Sequence, residues 1–167
     1  MSTQQPIRIG IVTVSDRASQ GVYQDLGGPA IRDCLTEILS CPWEAVPKLI
    51  PDERPVIEET LKDLCDREKC CLVVTTGGTG IAPRDVTPEA TRAVCDRLLE
   101  GVAERMRWEG AKSTKFAALS RALCGVRRQS VILNLPGKPS GAVESLESVI
   151  DLIPHALQLL SGDTKHG

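Results

Sequence analysis

The chain has 167 residues, 41 % of them hydrophobic, which suits one domain with a substantial core. A formal net charge of -2 argues against a nucleic-acid partner, and an aromatic content of 2 % argues against base stacking and demands an aliphatic core. The amino terminus, MSTQQPIRIG, lacks an apolar leader, and no stretch approaches the roughly 20 apolar residues that span a bilayer, so no membrane contact and a cytoplasmic location are expected.

Residues 7–14, IRIGIVTV, form an almost wholly apolar run of strand length that ends in the polar turn SDRASQG. A helix is predicted over 27–39. Pro29 is tolerated in its first turn, and Ile31, Leu35, Ile38 and Leu39 recur at helical spacing. A short strand near 43–49 follows. Asp52 stands where it would cap a helix beginning around PDERPVIEET, with Val56, Ile57, Leu61 and Leu64 as its apolar stripe.

Residues 70–75, CCLVVT, read as the next strand, followed by the loop TGGTGIAPRD. Thr87 as cap and Pro88 as first helical residue open a helix through Ala93, Val94 and Leu98, and Gly101 divides it from a segment reaching Met106. The extended runs AALSRALCG (117–125) and QSVILNL (129–135) flank VRR and predict a hairpin or two neighbouring strands. The loop LPGKPSG follows. Residues 142–160 are helical in pattern and divided at Pro154, and the tail SGDTKHG is expected to fray.

This alternation predicts an α/β fold of three layers, a mostly parallel sheet with helices on both faces, in a single domain over 1–167 with its core at about 7–161. Ligands of such sheets bind beyond the carboxyl ends of the strands, near a switch in strand order. Three polar loops sit at such ends: TVSDRASQG, TTGGTGIAPRD and NLPGKPSG. They point to an anionic, phosphate-bearing small molecule.

In TTGGTG, residues 75–80, Gly77, Gly78 and Gly80 let the backbone turn tightly and approach a ligand, and successive amides in such turns form an anion nest. Thr75, Thr76 and Thr79 offer hydroxyls. The Gly-Lys-Ser/Thr ending of a Walker loop and the GxGxxG fingerprint are both absent. Asp16 and Asp25 flank the first polar loop, Asp85 follows the glycine loop, and Asp52 ends the loop of the preceding strand. Carboxylates beside phosphates repel unless a cation intervenes, which magnesium shared between carboxylates and phosphates would do. Each aspartate also suits an Asx turn, a helix cap or a surface charge. Arg17, Arg84 and Lys138 are candidate phosphate contacts, with Ser15, Ser19, Ser120 and Ser140 as further hydrogen-bonding groups. The basic stretch of Lys112, Lys115, Arg121, Arg127, Arg128 and Lys138 fits either one pocket or a solvated surface.

A Ser-His-Asp mechanism is not expected, because His155 and His166 are the only histidines and neither lies in a strand-ending loop. His155, beside Pro154, reads as a packing or capping residue. Cys34, Cys41, Cys65, Cys70, Cys71, Cys95 and Cys124 contain no CxxC pair and read as buried, reduced thiols rather than zinc ligands.

The blocks IGIVTVSDRASQGVYQDLGGPA, LIPDE, TTGGTGIAPRDVTPEAT, LSRALCGVR and ILNLPGKPSG, spread from residue 9 to 141, together with the later PHALQLL, resemble the molybdopterin adenylyltransferases. They equally resemble the amino-terminal domain of gephyrin and its plant counterpart. The resemblance implies a fold of the molybdopterin-binding-domain type and a homotrimer in which each subunit carries its own site. It implies transfer of the adenylyl group of ATP to molybdopterin, with release of pyrophosphate and a requirement for magnesium. It carries two functional aspartates, as catalytic and metal-handling groups, onto Asp52 and Asp85. The substrate-binding glycine loop falls on Thr76, Gly77, Gly78, Thr79 and Gly80. Ser15 and Asp16 match in the first-strand loop, with Arg17 beside them. Pro136, Gly137 and Lys138 match in the LPGKP loop. Arg84 and Ser120 complete the expected binding set.

On this reading the terminal phosphate of molybdopterin attacks the α-phosphorus of ATP. A phosphate monoester is already anionic near neutral pH, so alignment and charge neutralisation replace a strong base. The product would be handed to a molybdate-insertion protein. The alternatives are a non-catalytic molybdopterin-binding or scaffold protein, and a paralogue acting on a modified nucleotide-like substrate.

Overall fold

The computed structural model describes residues 5–162. Six strands form one sheet: β1 (Ile7–Val14), β2 (Trp43–Ile50), β3 (Leu72–Thr76), β4 (Arg97–Leu98), β5 (Cys124–Arg127) and β6 (Ser130–Leu135), in the order β2-β1-β3-β6-β5-β4. β2, β1, β3 and β6 run parallel, while β5 is antiparallel to β6 and β4 antiparallel to β5. The sheet is mixed but mostly parallel, and the antiparallel part lies at one edge.

Every residue of β3 and β6 is buried, the mark of central strands covered on both faces. β2 is the opposite edge and holds Pro47, whose missing N–H is tolerated where one side of a strand is unpaired. β5 and β6 close a hairpin at the pair Arg127–Ser130, where Arg128 takes a positive φ of 53° and donates its amide to Asp96 Oδ2 at 2.6 Å.

The helices are α1 (Asp16–Ser19), α2 (Gly27–Ile38), α3 (Arg54–Asp66), α4 (Thr87–Val94), α5 (Glu100–Ala111), α6 (Pro139–Val149) and α7 (Ile153–Leu160). One sheet face, with Ile9, Ile11, Val74, Leu133 and Leu135, packs against Ile31 and Leu35 of α2, Met106 of α5, Leu146 of α6 and Ile153 of α7. The other, with Val12, Val14, Val73 and Ile132, packs against Ile57, Leu61 and Leu64 of α3 and Ala90 and Val94 of α4. Alternate residues of one strand thus face opposite layers, and the three-layer α/β fold expected from the sequence is present. Gly10 belongs to the second face because a Cβ there would come within 3.0 Å of Leu64.

Several local expectations are corrected. Asp52 does not cap α3: Glu53 precedes the helix, and the Asp52 carboxylate is drawn to Asp16 instead. Thr87 is the first residue of α4 rather than its cap, and its hydroxyl donates to the Gly77 carbonyl. α4 ends at Val94, and Leu98 belongs to β4, which the sequence reading missed. Gly101 lies inside α5 and divides nothing; the break is the extended stretch before it. Residues 117–123 are not a strand, since Lys115–Leu119 forms a 3-10 turn and only Cys124–Arg127 finds a partner along β6. Pro154 lies in the first turn of α7, after a 3-10 turn at Ile150–Leu152 that makes the actual division. His155 is exposed on α7 and neither packs nor caps, while His166 and most of the predicted fraying tail, 163–167, lie outside the described residues. Cys41 is exposed, unlike the buried Cys34, Cys65, Cys70 and Cys124. No helix among the described residues is long and apolar enough to cross a membrane.

Candidate active site

The chain leaves β1 toward β2 on one side and reaches β3 on the other, so the order reverses between β1 and β3. The loops after β1, β2, β3 and β6 gather there. Gly77 and Gly78 open the loop after β3 with φ of 100° and 67°, conformations that side chains rarely adopt. A Cβ on Gly77 would fall onto the Val14 carbonyl oxygen, and one on Gly78 onto the Thr87 hydroxyl. The built Cβ of Gly137 stands 3.4 Å from Gly77 Cα, so the loop after β6 rests on the same turn.

Thr87 fastens the turn from α4 by donating its hydroxyl to Gly77 O at 3.0 Å and its amide to Gly78 O at 3.1 Å. Thr76 donates its hydroxyl to Pro136 O at 2.8 Å, which joins the two loops. Beneath them lies Asn134, wholly buried. Its amide nitrogen donates to Thr75 Oγ1 at 3.1 Å and Thr91 Oγ1 at 2.9 Å, and its oxygen accepts from Leu123 N at 3.1 Å.

Two cavities adjoin this turn, and Gly137 lines both. The larger, about 540 Å³, lies against Gly78, Thr79, Gly80 and Asp85 on one side and Ser120, Pro136 and Lys138 on the other. The smaller, about 140 Å³, is bounded by Ser15, Asp25, Thr76 and Gly77.

Asp16 and Asp52 are tied to each other through reciprocal bonds from backbone amide to carboxylate, at 2.9 and 3.0 Å. Arg84 adds Nε to Asp16 Oδ2 at 2.6 Å, and its Nη2 reaches Asp16 Oδ1, Asp52 O and Glu53 Oε1. Arg84 therefore clamps the carboxylate loops, where the sequence reading expected a phosphate contact. Its guanidinium holds the Asp16 carboxyl below the usual carboxylate range. Burial pushes the Asp52 carboxyl up; the Asp16 amide opposes this, while the charges of Asp16 and Asp85 add to it. Asp85 accepts the Ala82 amide on Oδ2 at 2.9 Å, and the same oxygen lies 2.8 Å from the built Cβ of Gly80. Asp52 Oδ1 lies 3.2 Å from the built Cβ of Gly78. Both carboxylates thus flank the glycine turn.

Of the other expected residues, Ser15 caps α1 by accepting Ala18 N at 3.2 Å. Ser120 accepts Ala122 N on its hydroxyl at 3.3 Å. Lys138 is exposed at the larger cavity, whereas Arg17 is exposed on α1 and lines neither cavity. Asn134 was not foreseen. Its polarity inside the apolar run SVILNL is the signal that marks it.

A sequence profile for the probable molybdopterin binding domain matches residues 10–155. The molybdopterin adenylyltransferase of Helicobacter pylori strain J99 is 49% identical over 159 residues, covering 95% of this chain and 90% of its own. That of Escherichia coli K12 is 48% identical, covering 93% and 86%. The chain belongs to the molybdopterin adenylyltransferase family. Among solved structures, the molybdopterin biosynthesis enzyme MoaB of Thermus thermophilus superposes with a TM-score of 0.85 at 50% identity, covering 93% of this chain and 97% of that one.

Among the described residues no group of three His, Cys, Asp or Glu side chains is arranged to hold a metal ion. Asp52 and Asp85 offer two carboxylates beside the glycine turn, and magnesium is commonly held by one or two carboxylates with the remainder from phosphates and water. A divalent cation would relieve the repulsion from Asp16 and Asp85 that adds to the cost of burying the Asp52 charge.

Proposed function

We propose that this protein adenylylates molybdopterin: a terminal phosphate oxygen of molybdopterin attacks the α-phosphorus of ATP, and pyrophosphate leaves. The observation that carries the reading is the pairing of Asp52 and Asp85 around a glycine turn between two adjoining cavities. The identity to molybdopterin adenylyltransferases over nearly the whole chain supports it. We infer that residues 1–167, with the core at about 7–161, act as a single molybdopterin- and ATP-binding domain.

The residues divide the work as follows. Backbone amides of Gly78, Thr79 and Gly80 bind phosphate oxygens, because the glycines leave no side chain to hold a ligand off, while the Gly77 amide is donated to Leu135 O at 3.2 Å. Lys138 and Ser120 meet the ligand in the larger cavity, and Ser15, Thr76 and Gly137 bound the smaller one. Asp16 and Arg84 orient Asp52. Asp52 and Asp85 would hold magnesium together with substrate phosphates. Bound there, magnesium supplies neutralisation of the charge that builds on the transferring phosphate. Ordering attacker and leaving group in line then provides most of the remaining rate.

A homotrimer, a cytoplasmic location and delivery of the product to a molybdate-insertion protein complete the proposal. The trimer is tested by light scattering at micromolar concentration, where a monomer would contradict it.

The test of function incubates the protein with molybdopterin, ATP and magnesium and follows pyrophosphate and adenylyl-molybdopterin by mass spectrometry. Both products, formed only with magnesium, are expected. Tight molybdopterin binding with neither product would replace the enzyme by a binding or scaffold protein.

A further inference from the structure

The loop from Gly80 to Asp85 is held by a residue whose own side chain lines neither cavity. Residues 81–84 are exposed and gain little from packing. Within the loop, Asp85 N donates to Ala82 O and Ala82 N to Asp85 Oδ2, both at 2.9 Å. Those bonds close the turn on itself but do not attach it to the sheet.

Arg84 ties the loop to Asp16, Asp52 and Glu53, and Arg121 anchors its two ends from the other side. Its amide donates to Thr79 O at 2.9 Å, its Nε to Gly80 O at 2.8 Å and its Nη2 to Asp85 O at 2.7 Å. Its Nη1 pairs with the Glu89 carboxylate in the first turn of α4. One planar guanidinium thus joins both ends of the loop to α4 and to the chain entering β5. A lysine ammonium has its three N–H donors on one nitrogen, so it cannot span acceptors spread across the width of a guanidinium. Arg121 lines neither cavity, although its neighbours Ser120 and Ala122 line the larger one.

We infer that Arg121 is a positioning residue for the transfer, which sets where the Asp85 carboxylate and the Gly80 amide stand relative to the substrate phosphates. This inference rests on the proposed adenylyl transfer. Misplacing a reacting group by about 1 Å costs on the order of 100-fold in rate. Loss of Arg121 lowers kcat more than it raises KM, because only Gly80 and Asp85 shift and the other groups lining the larger cavity stay in place.

The experiment compares wild-type protein with Arg121→Lys and Arg121→Ala. It measures kcat and KM for both substrates, thermal unfolding, and hydrogen exchange of the peptide covering residues 77–89. The expected result for Arg121→Lys is a kcat reduced about 10- to 100-fold with KM changed less than about threefold. Exchange over 77–89 quickens while the remaining peptides exchange as in wild type. Millimolar guanidinium restores part of the Arg121→Ala rate, and sodium chloride at equal ionic strength does not. Wild-type kcat in Arg121→Lys overturns the inference, as does a raised KM with unchanged kcat, which would mark a substrate-binding residue. Should Arg121→Ala fail to fold, Arg121→Lys carries the test. If the wild-type protein forms no product, the transfer reading fails instead. Exchange over 77–89 then still decides the anchoring contact: faster exchange in Arg121→Lys supports it and unchanged exchange overturns it.

Discussion

Asp16 and Asp52 hold each other by a matched pair of bonds: Asp16 N to Asp52 Oδ2 at 2.9 Å, and Asp52 N to Asp16 Oδ1 at 3.0 Å. The loops after β1 and β2, 36 residues apart in the chain, are joined by this exchange. Replacing Asp16 by alanine leaves the Asp52 amide without its acceptor and Arg84 without its main partner. An unsatisfied, partly buried donor is destabilising. Asp16→Ala is therefore expected to lose stability in urea unfolding, and to lose turnover because Asp52 is no longer oriented. Unchanged values of both would remove the pair from the account.

The same pair separates two carboxylates in pH. In magnesium-free protein, Asp52 is expected to titrate above the usual aspartate value and Asp16 below it. The contribution of Asp16 to stability is present above the ordinary aspartate value and is lost as pH falls through its lowered folded value. Asp52 acts in the opposite sense: its ionised form opposes folding, and that opposition is relieved as pH falls through its raised value. Carboxyl carbon NMR titration of the magnesium-free protein measures both midpoints, and a reversed order would refute the assignment. Asp52→Asn keeps an oxygen to accept the Asp16 amide, so near neutral pH it is expected to unfold at no lower temperature than the wild type.

Asp85 provides the sharper test of chemistry. Asp85→Asn retains an oxygen for the Ala82 amide and should preserve the fold. It removes charge where the proposed metal is held, and turnover is expected to fall about 100-fold or more, equivalent to about 2.7 kcal/mol of transition-state stabilisation. Pyrophosphate release at saturating ATP measures it. Turnover near that of the wild type would remove Asp85 from the metal and catalytic roles.

The parts of this protein written in local sequence were readable without coordinates. β3 and β6 are unbroken apolar runs because both faces are covered, and TTGGTG declares a backbone turn through its glycines. The misreadings arise where a distant partner outweighs a local signal. Asp52 and Thr87 both stand where helix caps stand, yet Asp16 and Gly77 claim their side chains. Residues 117–123 have strand-like composition, but Lys115–Leu119 turns as a 3-10 helix and only Leu123 reaches β6 before the ladder of Cys124–Arg127 begins. Arg121 reads as one more basic residue until the fold brings Gly80, Asp85 and Glu89 to it, and Arg84 reads as a phosphate ligand until Asp16 and Glu53 lie beside it.

Gly78 tests whether the turn tolerates a side chain. Its φ of 67° strains any other residue, and a methyl group there would strike the Thr87 hydroxyl and approach Asp52 Oδ1 at 3.2 Å. Gly78→Ala is expected to destabilise the protein by about 1–3 kcal/mol and to abolish most turnover by displacing both groups. Thermal unfolding and the pyrophosphate assay measure the two effects. Retention of both would mean that the turn relaxes without consequence.

Asn134 carries the glycine loop from below, and its removal should act on stability before chemistry. It is wholly buried, and its side chain satisfies Thr75, Thr91 and the Leu123 amide at once. Asn134→Leu nearly preserves volume but withdraws the only side-chain acceptor the structure gives the Leu123 amide, and it leaves two buried hydroxyls without their donor. The cost is about 2–3 kcal/mol, set by the buried amide rather than by lost packing. Asn134→Asp is expected to be worse near neutral pH, because a buried carboxylate keeps the acceptor but adds a charge and replaces the donor. The order wild type, Asn134→Leu, Asn134→Asp in decreasing stability distinguishes a hydrogen-bonding role from one of shape. A space-filling role alone would leave all three nearly equal in urea unfolding at neutral pH.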